Sequence, residues 1–281
     1  MNLEKKIEKA LISASTSNSK DKVEKLKLAH DLETNENAKW ALNLMIENIE
    51  IANREKRPLC DDTGIPHVLI EVPSELNYFP TNLIENIKNG IVNGLINLPG
   101  RPMAVKGNDI ERLKQSNGLY ECSGMVKPPS FLFDSYDGDK IKIHILLLGG
   151  GSEIRSKTYR VFHQRNHKII FQMAVDYLTE VLPQLGCTPS IPTIGIGRTH
   201  FEASALALKA MAYGDLNNQS NIEKKVTNAL NKTNIGPMGL GGDTTVLGTF
   251  VNIGSQRASG VRIMAIRPAC FVEPRVSTIE I

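Results

Sequence analysis

The sequence lacks the features that mark several large classes of protein. It has four cysteines in 281 residues, too few and too far apart for the disulfide framework of a small secreted domain. It has no run of about 18 apolar residues that could span a bilayer, and its first residues lack the apolar stretch of a secretory signal. We therefore expect a cytoplasmic protein with no membrane partner.

Charge and familiar catalytic motifs are equally sparse. The formal net charge is +3, and no Lys/Arg tract is interleaved with aromatic residues, so we expect no nucleic-acid partner. The phosphate-binding patterns G-x-x-x-x-G-K-[ST] and G-x-G-x-x-G are absent, as is the hydrolase pattern G-x-S-x-G. Zinc motifs with close spacing, H-E-x-x-H and C-x-x-C, are also missing.

The periodicity of apolar residues predicts an α+β fold. The first 56 residues or so are predicted to be mostly helical, because apolar residues recur there at intervals of three and four. A mixed sheet with flanking helices and Gly-rich loops follows, within a single domain over residues 1–281. The predicted strands are His67–Val72, Ile141–Leu148, Ile191–Ile196, Val246–Ile253 and Val261–Ile266. The predicted later helices are Asn82–Leu98, Ile169–Leu182 with Pro183 and Gly186 as stop signals beyond it, Phe201–Tyr213 and Ile222–Asn231.

Three of the four cysteines stand in turns rich in glycine and proline: Cys60, Cys187 and Cys270. The count alone fits four small buried thiols, since free cysteine is often buried. The turn contexts favour ligands instead. Three thiolates from three loops could hold an iron–sulfur cluster with one iron left uncapped, and such an iron is a Lewis acid for hydroxy-acid chemistry.

Several residues near these turns suit a carboxylate substrate. Arg101 follows a rigid Pro-Gly turn, and its planar fork matches a carboxylate, although a solitary arginine is often a solvated surface residue. The Gly149–Gly151 triplet opens backbone amides to an anion, or else forms a tight strand-to-helix turn. Asp61 and Asp62 would repel a thiolate at Cys60 unless a cation is present or they bond the amides of the turn.

These motifs together resemble the oxygen-sensitive iron–sulfur hydro-lyases, the class I fumarases and L-tartrate dehydratases, and in particular their α subunit. The resemblance extends from about residue 20 to about residue 275. The segments that carry it are Pro58–Gly64, Arg101–Val105, Leu148–Ser152, Gly186–Pro189, Ile194–Gly197 and Ile235–Thr245.

The resemblance implies a ligand set, a substrate class and a partner. Cys60, Cys187 and Cys270 would ligate a 4Fe–4S cluster, and Cys122 would be a bystander. The substrate, a C4 2-hydroxydicarboxylate, would meet Asp61, Asp62, Arg101, Gly149, Gly150, Gly151 and Lys157. No catalytic base is expected in this chain, because in such enzymes the base resembles a threonine of a separate β domain or subunit. We therefore expect a β-subunit partner in an α2β2 assembly.

The sequence also departs from the family pattern. Asp61 stands where many members have glutamine, Thr188 replaces a proline after the second cysteine, and Gln256–Ser259 replaces a Thr-His pair of fumarases. Arg257, with Arg155 and Lys157, favours the tartrate dehydratases. Two alternatives stay open: a cluster-binding regulatory or assembly protein without catalysis, and an anion binder whose cysteines are merely buried.

Overall fold

A computed structural model describes residues 2–76 and 79–281, which form two compact units. Unit 1 comprises Met1–Ser17, Ile51–Gly149 and Arg275–Ile281, and unit 2 comprises Asn18–Glu50 and Gly150–Pro274. The helices described are α1 Leu3–Thr16, α2 Lys20–Leu32, α3 Glu36–Glu55, α4 Leu83–Asn97, α5 Asp109–Lys114, α6 Gly150–Glu153, α7 His167–Leu185, α8 His200–Tyr213 and α9 Asn221–Asn231. The strands are β1 Ile65–Pro73, β2 Leu132–Tyr136, β3 Lys142–Leu148, β4 Lys157–Phe162, β5 Thr193–Gly197, β6 Phe250–Ile253, β7 Val261–Arg267 and β8 Arg275–Glu280.

The sheet of unit 1 has the strand order β2-β1-β3-β8. Strand β2 pairs with β1 in parallel, and the other neighbours are antiparallel. Helices α1 and α4 pack together, because α4 presents glycines to α1: a Cβ at Gly90 would lie 2.5 Å from the Cβ of Ile7. Their apolar side chains join those of β1 and β3 in a buried core. The turn that carries Cys60 immediately precedes β1.

The sheet of unit 2 has the strand order β4-β7-β5-β6. Helix α8 lies against β5 so closely that a Cβ at Gly195 would come within 2.0 Å of the carbonyl oxygen of Ala203. Apolar residues of α7 and α9 complete the core beside β4, β5 and β7. The turns that carry Cys187 and Cys270 follow α7 and β7 respectively.

The α+β class is confirmed, although the strands of the described residues form two mixed sheets instead of one. The helical start of the chain consists of α1, α2 and α3. Pro183 lies inside α7 and does not stop it, because a proline in the last turn removes only one hydrogen bond there; the helix ends at Gly186, whose φ is 75°.

One further expectation needs correction. The strand predicted from Val246 begins only at Phe250, because the N–H groups of Thr245 and Val246 donate to Oδ1 of Asn231 at 3.0 and 2.8 Å. The turn-rich region 106–129 also includes the short helix α5, which a capping box between Asn108 and Glu111 initiates. None of the described helices combines the length and apolarity that a membrane crossing requires.

Candidate functional site

The turn that carries Cys60 is fixed on both sides. Before it, the N–H of buried Leu59 donates to the carbonyl of Ser15 in α1 at 2.9 Å. After it, Oδ1 of Asp62 accepts from the N–H of Gly64 at 3.0 Å, the short-range bond that aspartate makes in tight turns. Cys60 is partly exposed between these two anchors. The thiol is therefore held in place and remains accessible.

A buried arginine stabilises the same turn through a hydrogen bond to its backbone. Arg275, at the start of β8 and only 2% exposed, donates from Nη1 to the carbonyl of Asp62 at 2.7 Å and from Nε to that of Leu147 at 3.2 Å. A Cβ at Gly64 would lie 2.5 Å from its Nη2. No sequence pattern indicates this role, because a single arginine in an alternating segment resembles a surface residue.

The structure brings together two of the residues expected to bind substrate. Arg101 donates its backbone N–H to Oγ1 of buried Thr63 at 3.0 Å, and its Nη1 lies 2.7 Å from Oδ2 of Asp61. Both side chains are largely exposed, at 53% and 82%. An exposed pair of this kind contributes little to stability, about 0–1 kcal/mol. The Arg101 guanidinium is thus accessible to an external carboxylate.

In unit 2 the turns of Cys187 and Cys270 are joined directly. The N–H of Phe271 donates to the carbonyl of Cys187 at 3.1 Å, and the two thiols influence each other electrostatically. Neither cysteine forms a disulfide, and both are partly exposed. Desolvation, with the nearby Glu273 carboxylate, raises the pKa of the Cys270 thiol to about 12. Without a cation this thiol keeps its proton, and a bound metal would remove it.

Buried charges surround the Cys270 turn. The guanidinium of Arg267, 5% exposed, donates from Nε and Nη2 to the two carboxylate oxygens of Glu273 at 3.2 and 3.0 Å, and from Nη1 to Glu153. Desolvation disfavours the charge of Arg267, but these carboxylates outweigh it and raise its pKa above the ordinary value. Lys22 of α2, 2% exposed, donates to the carbonyls of Val272 and Pro274 at 3.1 and 2.8 Å.

The threonine that replaces a proline after the second cysteine has a structural task. Oγ1 of buried Thr188 donates to the carbonyl of Gly236 at 2.6 Å, and its carbonyl accepts from the N–H of Met238 at 2.9 Å. At the far end of the same glycine loop, the carboxylate of Glu33 accepts from the N–H of Asp243 at 3.0 Å. Thr188 therefore fixes the loop beside Cys187.

In the glycine triplet, Gly149 links β3 to α6, and Gly150 and Gly151 are the first two residues of α6. A Cβ at Gly151 would have no atom within 4 Å, so packing does not require a glycine there. Nη1 of Arg155 donates to the carbonyl of Gly151 at 3.0 Å and braces the turn. Lys157 instead lies over the rings of Tyr159 and Tyr177, with Nζ 4.9 and 5.4 Å from their centroids. Cys122 is exposed.

A family model described as fumarate hydratase (Fumerase) matches residues 4–280 of the chain. The chain belongs to this family. Membership in the fumarate hydratase family makes it a hydro-lyase, an enzyme that adds or removes water, and confirms the family predicted from the turn motifs.

Named relatives of this fumarate hydratase family member are subunits of tartrate dehydratases. A protein of Methanocaldococcus jannaschii with the provisional name L(+)-tartrate dehydratase subunit alpha is 31% identical over 237 residues, 81% of this chain and 80% of that protein. The L(+)-tartrate dehydratase subunit alpha of Escherichia coli O157:H7 is 26% identical over 263 residues, 91% of this chain and 83% of that protein. That of Shigella sonnei is 25% identical over the same length.

Cys187 and Cys270 stand in neighbouring turns of unit 2, and thiolates are the usual ligands of iron–sulfur clusters. In the described part of the chain, no three His, Cys, Asp or Glu side chains lie close enough to hold one ion. Each thiolate of a cluster binds a different iron, so cluster ligands stand farther apart than the ligands of one ion. Neither Cys187 nor Cys270 forms a disulfide, so both side chains are thiols, and thiolate is the ligand such clusters use.

Proposed function

We propose that the chain is the α subunit of a 4Fe–4S-dependent hydro-lyase that reversibly dehydrates a C4 2-hydroxydicarboxylate, either malate to fumarate or L-tartrate to oxaloacetate. Cys60, Cys187 and Cys270 are the proposed cluster ligands, and Cys122 is a bystander. The observation that carries the proposal is the pair of turns around Cys187 and Cys270. A backbone hydrogen bond from Phe271 to Cys187 joins these two turns, and buried charges hold the Cys270 turn in place.

The residues of the chain would bind and orient the substrate. An iron of the cluster that no cysteine ligates would act as a Lewis acid and favour the departure of hydroxide. Arg101 would exchange its exposed partner Asp61 for a substrate carboxylate, because its fork binds either group in the same way. Asp62, the amides of Gly149–Gly151 and Lys157 would complete the contacts, so that the substrate keeps one orientation.

The base that removes the proton from the substrate is assigned to a separate β subunit. The relatives named above are designated subunit alpha, which supports a partner of this kind. We propose that two α and two β chains assemble. The names of these relatives, together with Arg257, Arg155 and Lys157 in this chain, favour L-tartrate over malate as the substrate.

Anaerobic reconstitution of the purified chain tests the cluster. Addition of ferrous iron and sulfide should produce a broad visible absorbance. The variants Cys60→Ala, Cys187→Ala and Cys270→Ala should each lose most of it, whereas Cys122→Ala, the matched control, should keep it. Equal absorbance in all four variants would contradict the ligand set.

A second experiment tests catalysis and the need for a partner. The cluster-loaded chain is assayed on malate, fumarate and L-tartrate, alone and with a co-expressed β subunit. We expect turnover only in the mixture. Turnover by the chain alone would overturn the proposed division of labour. Cluster uptake without turnover in any mixture would favour the regulatory or assembly role, for which the absence of the Thr-His pair at Gln256–Ser259 is the reason.

A further inference from the structure

Arg267 connects two segments of unit 2 that the proposed function uses. Its guanidinium binds Glu273 through two parallel hydrogen bonds, at 3.2 and 3.0 Å, and uses the remaining nitrogen for Glu153. Arg267 and Glu273 are 5% and 1% exposed, whereas the Glu153 side chain is 65% exposed. The network therefore has one buried arm and one open arm.

The buried arm leads to both cysteines of the unit. The backbone N–H of Glu273 donates to the carbonyl of Cys270 at 3.0 Å. Between these two residues, the N–H of Phe271 donates to the carbonyl of Cys187 at 3.1 Å. The side chain of Glu273 thus fixes the C-terminal end of the turn, and Arg267 fixes its start, because Arg267 is the last residue of β7.

The exposed part of the network, the contact between Arg267 and Glu153, connects to the helix that contains Gly150 and Gly151. Glu153 is the last residue of α6, which begins at Gly150 and includes Gly151. The carboxylate of Glu153 reaches back to Arg267 and so ties this short helix to the end of β7. One guanidinium therefore sets the position of the Cys270 turn relative to the triplet.

Stability alone gives a poor reason for such an arrangement. Replacing a buried ion pair by apolar side chains of similar volume is often neutral or stabilising, since desolvation opposes the attraction between the charges. The guanidinium of arginine is planar, and its N–H groups point in fixed directions. It therefore holds two carboxylates in a fixed geometry that a lysine cannot reproduce.

We propose that Arg267 is a positioning residue: through Glu273 it orients the Cys270 turn for cluster binding, and through Glu153 it holds the glycine helix beside that turn. The part that concerns the cluster rests on the proposed function. Groups that support metal ligands in this way typically change metal affinity or activity by about 10–100-fold when they are replaced.

The test compares the wild-type chain with the double variant Arg267→Met/Glu273→Met and with Glu153→Gln. The double variant removes both buried charges together, so that neither is left without its partner. Glu153→Gln weakens only the open arm and is the matched control. The measurements are the unfolding temperature, the iron and acid-labile sulfide retained after anaerobic reconstitution and chelator treatment, the visible circular dichroism, and hydrogen exchange of the apo chain over residues 268–273.

We expect the double variant to unfold near the wild-type temperature, to retain about tenfold less cluster, and to exchange the amides of Phe271 and Glu273 about tenfold faster. Glu153→Gln should retain the wild-type amount of cluster. A folded double variant with wild-type cluster content, dichroism and exchange would overturn the positioning role. If the double variant does not fold, Arg267→Lys, which keeps the charge but loses the fork, serves for the same comparison.

The two proposals fail in different ways. A wild-type chain that takes up no cluster overturns the ligand set, and the hydrogen exchange of residues 268–273 then decides the role of Arg267 by itself. A wild-type chain that takes up the cluster, beside an equally loaded double variant, leaves the proposed function standing and removes the positioning role.

Discussion

At the scale of single residues, the turn of Cys60 depends on Gly64 and Arg275. The Arg275 guanidinium occupies the space that a side chain at position 64 would need. Gly64 has a φ of 81°, a conformation that costs an L-residue about 1–2 kcal/mol. The space where its side chain would be is occupied by Arg275 and by the backbone of Leu147 and Leu148. Arg275 cannot move away easily, because two backbone carbonyls hold its buried guanidinium.

We predict that Gly64→Ala lowers the free energy of unfolding by at least about 2 kcal/mol, since the strain of the positive φ adds to a steric clash with Arg275. Gly118→Ala is the matched control: its φ is 67°, and no atom lies within 4 Å of the added Cβ. We expect this control to cost only about 1 kcal/mol. Urea unfolding of both variants measures the difference, and equal costs would show that Arg275 does not restrict Gly64.

Arg101 gives the opposite expectation, a change in binding without a change in stability. Because its ion pair with Asp61 is exposed, Arg101→Met should leave the free energy of unfolding within about 1 kcal/mol of wild type. Under the proposed function, loss of a charge-assisted bond to a carboxylate should raise KM for the dicarboxylate by about 10–100-fold. The measurements are urea unfolding and steady-state kinetics of the α–β mixture. Asp61→Asn is the companion variant, and an unchanged KM in Arg101→Met would remove Arg101 from the site.

At the scale of elements, the central strands were predictable and most edge strands were not. Strands β1, β3, β5 and β7 lie inside their sheets, and their apolar runs reveal them. Strands β2, β4 and β8 lie at edges, where one side faces solvent and charged or polar residues interrupt the pattern. In β8, for example, the pattern starts with Arg275, a buried charge whose partners lie far away in sequence.

The same limit applies to the candidate site. The cysteine turns, Asp61 and Arg101 were predicted because turn residues and chemistry mark them in the sequence. The charges that hold the cysteine turns were missed, namely Lys22, Arg267, Glu273 and Arg275, and so was Glu33, which holds the glycine loop. A buried ion pair depends on tertiary contacts that no local pattern records, so such residues read as surface charges.

A polar chain across three strands of unit 1 predicts a dependence of stability on pH. His144 of β3, 1% exposed, bonds Glu71 of β1 at 3.1 Å and Thr278 of β8 at 2.8 Å. Burial lowers the pKa of His144, although the bond to Glu71 acts in the opposite direction. Below pH about 6.5 the unfolded chain therefore binds the proton more readily than the folded chain does.

We expect this histidine to make stability rise with pH up to about 6.5 and to contribute no further slope above it. The slope is at most about 1.4 kcal/mol per pH unit. His144→Gln should remove this component, whereas His167→Gln, at an exposed position, should keep it. Urea unfolding between pH 5 and 8 provides the comparison, and identical profiles for wild type and His144→Gln would contradict the assignment.

At the scale of the whole molecule, the cores and the candidate ligands are separate. The core of each unit consists of buried apolar side chains and includes none of the candidate ligands. Cys60, Cys187 and Cys270 are all partly exposed instead. Under the proposed function, a cluster held by these thiols would be open to oxygen, and its loss would leave both cores intact.

We therefore expect the loaded α–β mixture to lose activity and iron in parallel on aeration, while the far-ultraviolet circular dichroism of the α chain stays unchanged. A sample kept anaerobic for the same time is the control. Activity that survives prolonged aeration, or a loss of helical signal together with the iron, would contradict this separation of cluster and core.

The order of segments along the chain has a consequence for synthesis. Unit 1 takes its strand β8 from the segment that follows unit 2 in sequence, and β8 is the neighbour of β3. On a translating ribosome, one edge of β3 stays open while Gly150–Pro274 is made, on the order of ten seconds at ordinary elongation rates. During that interval β3 lacks the strand that covers this edge in the folded unit, and an open edge of this kind can pair with another chain. Arg275 also arrives only then, so the Cys60 turn reaches its final form after Cys270 has already been translated.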